Sequence, residues 1–270
     1  MKSLLLAAQW CHSKLPNSKG YEYLQRREIN DAQVRAFGIG YFPERLEQEL
    51  IDFVVKNDGD RKELFRSGVV FDKLSNASYY SMFAGRVIFP YSNAHREIIG
   101  FSGRSIDGRE PKYVNSIFDK VREPYNLQRA KYAARSCDVI FIVEGHICCV
   151  TSWGRGVANV IAGGGTAITV DHLLKATRYA KTVCVIVDND EAGLKAAEKI
   201  ITFAREDFVL QVLVLPKTVI SGTEVVEIKD LDDYFVKGKK SKEEFWMFYQ
   251  ESFRRVDSSN LLRERVKQIV

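Results

Sequence analysis

No apolar run in this chain approaches the roughly 20 residues that a membrane-crossing helix needs, so nothing in it reads as a transmembrane segment. Cysteine is scarce and lacks pattern: the five residues Cys11, Cys137, Cys148, Cys149 and Cys184 form no Cys-x-x-Cys pair. That argues against a zinc ribbon, and with Cys184 inside an apolar strand-like run it points to a reduced, cytoplasmic protein. The opening residues also read less like a secretory leader than like an amphipathic helix. Met1-Lys-Ser-Leu-Leu-Leu-Ala-Ala begins like a leader, but the run breaks at Gln9 and His12-Ser13-Lys14 follows. Charge of neither sign dominates: net +5 over 270 residues permits an anionic partner without requiring one. The length allows one large domain or two small ones, with a substantial core in either case.

What is present centres on residues 138–193. Asp138-Val-Ile-Phe-Ile-Val-Glu144 and Thr182-Val-Cys-Val-Ile-Val187 are short, β-branched apolar runs, the mark of strands buried on both faces of a parallel sheet. Each ends in acid, the first at Glu144 and the second at Asp188-Asn189-Asp190. Ligands of open α/β sheets bind outside the carboxyl ends of the strands, so Glu144, Asp188 and Asp190 are expected to converge. Two carboxylates about 5 Å apart repel by roughly 3 kcal/mol at an effective dielectric of about 20. Either protons stay on or a divalent cation sits between them, and an all-oxygen set suits Mg²⁺ or Mn²⁺. An Asp-x-Asp after a strand also reads as a helix N-cap, and the residues alone leave both readings open. Between the two strands, Val157 to Ala162 predicts a third, closed by Gly163-Gly164-Gly165-Thr166, a turn able to cradle a phosphate or simply a tight turn. Val209 to Leu215 predicts a fourth strand, followed by an acidic loop, Lys229-Asp230-Leu231-Asp232-Asp233-Tyr234.

Upstream the texture differs. The first seventy residues read as mainly helical, with Asn30 as a cap and Gly38 as a stop. From Val69 short strands follow one another as an antiparallel meander through Gly85-Arg86-Val-Ile-Phe-Pro90, Ile98 to Arg104, and Pro111 to Asn115. Arg86, Arg104, Lys112, Asn115 and Lys120 punctuate it. With side chains alternating across a sheet, these groups are expected to line one wetted face, either as phosphate contacts or as mere solubilising charge. The glycines beside Arg86 and Arg104 suggest close backbone approach to a ligand.

Taken together these motifs resemble a known family. Glu144-Gly145, the glycine turn, and Asp188-x-Asp190 followed by Ala192-Gly193 look like the TOPRIM fold, and the upstream motifs, with Tyr23-Leu-Gln-Arg-Arg27 and Phe37-Gly-Ile-Gly-Tyr41, resemble the RNA polymerase core of bacterial DnaG-type primases. The resemblance covers about Ala7 to Tyr234. It implies an N-terminal basic subdomain of helices and antiparallel sheet (1–136), a TOPRIM doubly wound parallel sheet (137–236) and a C-terminal helical segment (237–270). It further implies a DNA-directed RNA polymerase making short RNA primers on single-stranded DNA from ribonucleoside triphosphates, in a bacterial, phage or plasmid replication setting. Glu144, Asp188 and Asp190, joined by Asp230 and Asp232, would hold Mg²⁺ or Mn²⁺, while Arg27, Arg86, Arg104, Lys112, Asn115 and Lys120 would guide template and nucleotide. Three departures stand out. Cys148 occupies a place where these primases carry an acid, and His146 one where they tend to have Tyr. No zinc or helicase-binding module is recognisable, which leaves two expectations open: a replicative helicase or a separate zinc-module subunit as partner, or a sequence that is a fragment of a longer chain. Two rival readings remain at this level: a TOPRIM nuclease, and a non-catalytic single-stranded DNA-binding module with a degraded metal site.

Overall fold

The computed structural model describes residues 2–73, 78–164 and 167–253. The chain forms two compact units, Met1–Lys120 and Val121–Val270.

The first unit opens with helices α1 (Lys2–Ser13), α2 (Lys19–Arg26) and α3 (Asp31–Phe37), strand β1 (Gly40–Phe42), and helices α4 (Glu47–Lys56) and α5 (Arg61–Arg66). Strands β2 (Phe71–Lys73), β3 (Ser78–Tyr80), β4 (Arg86–Ser92), β5 (Ile98–Ser105) and β6 (Tyr113–Asn115) follow. The helix starts are chemical: Asn30 and Gln33 exchange side-chain and backbone hydrogen bonds in a capping box at α3, and Asp60 caps α5. Gly38 then ends α3 in the left-handed conformation. The expected meander forms as an antiparallel sheet of order β1-β4-β5-β6. Its inner side packs on α1 and α4 through Trp10, Phe42, Leu50, Val54, Ile88 and Phe101, with the Trp10 and Phe42 rings 5.2 Å apart edge to face. Strand β1 lies within the stretch that reads as helical, and it exists by pairing Gly40 with Ile88.

The second unit runs α6 (Leu127–Cys137), β7 (Val139–Val143), α7 (His146–Gly154), β8 (Val160–Ala162), α8 (Val170–Ala176), β9 (Thr182–Val187), α9 (Glu191–Ile201) and β10 (Val209–Val214). A hairpin of β11 (Thr218–Ser221) and β12 (Glu224–Glu227) precedes α10 (Leu231–Val236) and α11 (Lys242–Phe253). The four core strands form the expected parallel sheet, in the order β10-β9-β7-β8. Every residue of β7 is buried, and each such aliphatic side chain contributes about 1.5–3 kcal/mol. Because β7 is followed by β8 on one side and flanked by β9 on the other, the connections diverge between β7 and β9, which is where a doubly wound sheet opens a crevice. Phe245, Trp246 and Tyr249 of α11 pack edge to face on Phe141, Phe245 fully buried and the other two half-buried. No helix among the described residues is long and apolar enough to cross a membrane.

Candidate functional site

Glu144 follows the last residue of β7, and Asp188 the last residue of β9, so both stand at the mouth of that crevice. Asp190 caps α9, its Oδ1 accepting from Gly193 N–H at 2.9 Å. The cap and the metal-ligand readings of Asp-x-Asp are therefore compatible: one oxygen serves the helix and the other, Oδ2, meets Lys229 Nζ at 3.0 Å. Gly193 is required by this arrangement, since a Cβ there would lie 2.2 Å from the Asp188 carbonyl oxygen.

Asp230 and Asp232 come from the start of α10, the first as its N-cap and the second in its first turn. Asp230 caps α10 by accepting from Asp233 N–H at 2.9 Å, and Asp232, 2 % exposed, accepts from the Thr151 hydroxyl of α7 at 2.6 Å. Carboxylate oxygens of Asp230, Asp232 and Asp233 all lie within 4.8 Å of one another. Asp233 is tied down by Lys237 Nζ at 2.9 Å. What joins this segment to β9 is Asn189, a residue that sequence reasoning does not single out. Its backbone N–H donates to the Lys229 carbonyl at 2.7 Å, and its side-chain amide donates to the carbonyls of Leu215, Ile228 and Pro216 at 2.8, 3.1 and 3.2 Å.

The electrostatic result is repulsion. Burial, then the charges of Glu144, Asp230 and Asp190, push the Asp188 carboxyl up to about 7. Asp190 moves the other way, held below the ordinary carboxylate range by Gly193 N–H and then by Lys229, whose Nζ lies 3.0 Å from its Oδ2. A set of hard oxygen donors under mutual repulsion, with an ammonium already drawn in, fits a divalent cation such as Mg²⁺ or Mn²⁺. Cys148 sits inside this centre, buried, and burial followed by Asp230 and Asp232 raises its thiol well above the usual range. It stays a neutral thiol there and adds no charge to the cluster. His146 is also buried, its ring 4.7 Å from that of Tyr125, a packing role. The N–H groups of Gly163 and Gly164 donate to the carbonyls of Val143 and Glu144, so this half of the glycine turn closes β7 instead of presenting a phosphate cradle; Gly165 and Thr166 lie outside the described residues.

In the first unit, the cations do not form one wetted row. Strand register pairs Arg86 with Ser105 and Arg104 with Val87, which sends the two guanidiniums to opposite faces of the sheet. Arg86 is 5 % exposed and donates to the carbonyls of Pro111 at 2.9 Å and Lys112 at 3.4 Å. Nor does Gly103 open the backbone to a ligand: a Cβ there would come within 2.7 Å of the Phe83 ring and 3.3 Å of Arg86 Cδ, so its space is filled by the fold. Arg104 lies over the Tyr23 and Tyr113 rings and donates to Tyr113 OH at 2.7 Å. Arg27 shares Tyr23 from the other side of the sequence motif. Lys112 is exposed and Lys120 buried. On the Arg104 face, Ser102 opposes Asn115. Ser102 Oγ, Asn115 Oδ1, Arg104 Nε and Tyr23 OH are buried without a hydrogen-bond partner. Such a cluster of unmet polar atoms is costly unless a ligand completes it.

With this geometry in place, comparison with known proteins is decisive. Residues 10–131 match the family described as DNA primase catalytic core, N-terminal domain, and residues 141–235 match the Toprim-like family. The DNA primase of Staphylococcus aureus (strain COL) is 35% identical over 181 residues, 66% of this chain and 30% of that protein. This chain carries a DnaG-type primase catalytic core. The Aquifex aeolicus primase (zinc-binding and RNA polymerase domains) superposes with a TM-score of 0.81 at 24% identity, covering 99% of this chain and 64% of that one. The DnaG primase catalytic domain bound to ssDNA does so with a TM-score of 0.74 at 24% identity, covering 99% and 90%. These likenesses establish the fold of the primase core. The chain spans 30% of the length of the curated relative it matches.

Proposed function

We propose that this primase core synthesises short RNA primers on single-stranded DNA by divalent-metal-dependent nucleotidyl transfer, using ribonucleoside triphosphates. The observation that carries the reading is the convergence of Glu144, Asp188, Asp190 and Asp230 at the β7–β9 crevice strongly enough to push Asp188 up to about 7. Glu144, Asp188 and Asp190, with Asp230 and Asp232, would hold Mg²⁺ or Mn²⁺. Bound there, divalent metal would supply Lewis-acid stabilisation of charge on the phosphorus oxygens and would favour the primer 3′-hydroxyl as nucleophile. The chain's own part is to place the donors: Asn189 locks the Asp188–Asp190 turn to the Asp230 loop, Thr151 orients Asp232, and Gly193 lets α9 approach Asp188.

For template and nucleotide we assign Arg104 and Asn115, whose face carries the unmet polar atoms, together with Arg27, Lys112 and Lys120. Arg86 acts on the same set through the Pro111–Lys112 backbone it holds. Contacts of this kind are to phosphate and tolerate any sequence, so affinity should fall steeply with salt. The ssDNA-bound state of the related DnaG catalytic domain supports a single-stranded template. A replicative helicase or a separate zinc-module subunit would be a further partner, and the bacterial relatives point to a cytoplasmic replication setting.

The test is incorporation of labelled ribonucleotides on single-stranded DNA with Mg²⁺ and Mn²⁺ in parallel. Short RNA products are expected, falling by at least about a hundredfold in the Asp188→Asn/Asp190→Asn protein while single-stranded DNA binding is retained. Undiminished synthesis by that variant would refute the assignment.

A further inference from the structure

Lys229 immediately precedes Asp230, and its main chain is fixed on both sides. Its N–H donates to Asp233 Oδ2 at 3.2 Å, and its carbonyl accepts from Asn189 N–H at 2.7 Å. The frame that carries the acids therefore also fixes the root of this side chain. Its ammonium lies 3.0 Å from Asp190 Oδ2. Asp190 Oδ1 is committed to the α9 cap, so Oδ2 is the oxygen free to exchange partners. The lysine side chain is 59 % exposed and on a flexible stem, so it can swing into water without breaking the fold.

We propose that Lys229 is the resident counter-cation of the acidic centre, an ammonium that a divalent ion must displace from Asp190 before that carboxylate can serve as a ligand. The proposal rests on the metal-centre reading above and adds a competitor to it. In metal-free protein Lys229 neutralises part of the repulsion among Glu144, Asp188, Asp190 and Asp230. A dication arriving at Asp190 meets a positive charge already in place, so the centre discriminates by charge: a monovalent ion gains little over the ammonium it replaces, and a dication gains enough to expel it. Relative to the same carboxylates without the lysine, divalent affinity is set lower and occupancy becomes more sensitive to metal concentration.

The experiment is Mn²⁺ binding to the full chain without nucleotide, followed by calorimetry and by the electron paramagnetic resonance of free Mn²⁺, for wild type, Lys229→Met and Lys229→Arg. Lys229→Met should bind Mn²⁺ roughly threefold to tenfold more tightly, and its melting temperature in EDTA should drop below that of wild type. Lys229→Arg, which keeps the charge, should stay near wild type in both. Circular dichroism verifies folding, and Lys229→Gln provides a second neutral variant should the Met protein aggregate. Neutral variants that bind Mn²⁺ no more tightly than wild type overturn the proposal while leaving the metal centre intact. Wild-type protein that takes up no Mn²⁺ above background overturns the metal-centre reading itself, so the two failures are told apart by which protein shows them.

Discussion

Arg86 in the sheet of the first unit is answered within the fold, whereas the acids at the sheet of the second are answered only in part. Arg86 satisfies two carbonyls from a buried position, and Arg104 rests between two tyrosine rings. Across the β7–β9 crevice, by contrast, Glu144, Asp230 and Asp190 press on Asp188, and Lys229 relieves it in part. An arginine that holds a loop stabilises the protein with or without ligand. A carboxylate pushed up to about 7 is destabilising until something arrives, and that difference separates scaffold from binding centre. Sequence alone ranks Arg86 and Asp188 alike, as polar residues beside glycine or at a strand end.

The largest expected effect tests whether the acidic centre depends on backbone fit. In Gly193→Ala the new Cβ would meet the Asp188 carbonyl oxygen at 2.2 Å, main chain that cannot move without moving the ligand residue. A cost of about 3 kcal/mol in urea unfolding is expected, together with a loss of primer synthesis beyond about tenfold from displaced geometry. Normal stability and activity would mean that α9 slides freely past β9. A somewhat smaller effect separates the two kinds of cation. Arg86→Ala strands the carbonyl of Pro111, while that of Lys112 keeps the Ser105 N–H at 2.9 Å, and should cost about 2 kcal/mol. Exposed Lys112→Ala should leave stability within about 0.5 kcal/mol of wild type and reduce the salt dependence of single-stranded DNA binding by about one ion. The reverse result would make Arg86 the contact and Lys112 the scaffold.

Much of the second unit was legible because its signals are local. The runs now seen as β7 and β9 are continuous and apolar, and Glu144, Asp188 and Asp190 end them or open the next helix. The thiol at Cys148 was visible as a departure, and its burial among acids shows why it brings no charge. What stayed hidden depends on partners distant in the chain. Strand β1 is three residues long and is defined by its pairing with β4. The β11–β12 hairpin reads as loop because its outward pair, Ile220 and Val225, is exposed and offers no buried periodicity. Asn189 looks like filler between two aspartates until Leu215, Pro216 and Ile228 surround it. The face of each meander cation turned on register, and a shift of one residue moves a side chain to the other face.

The smallest effect is the most direct reading of the contrast between the units, because it needs no ligand. Unfolded Asp188 ionises at its ordinary 3.8, and in the folded, metal-free protein at about 7. Between those values the folded chain holds a proton that the unfolded chain has released, so stability falls as pH rises through the window and levels off above it. Asp190, with its pKa lowered, contributes the opposite slope at the acid end, stability that is present above its unfolded value and lost as pH falls. Subtracting the Asp188→Asn protein from wild type cancels the Asp190 contribution to first order and leaves Asp188. Its partial exposure reduces the expected difference to about 1 kcal/mol, well below what the full shift would give. Urea midpoints from pH 4 to pH 8 in EDTA would show wild type losing that amount relative to the variant, and saturating Mn²⁺ should remove the loss, because a bound dication takes the place of the proton. A difference that stays flat with pH would mean that water already screens Asp188 from its neighbours, and the acidic centre would then be as self-sufficient as Arg86 of the first unit.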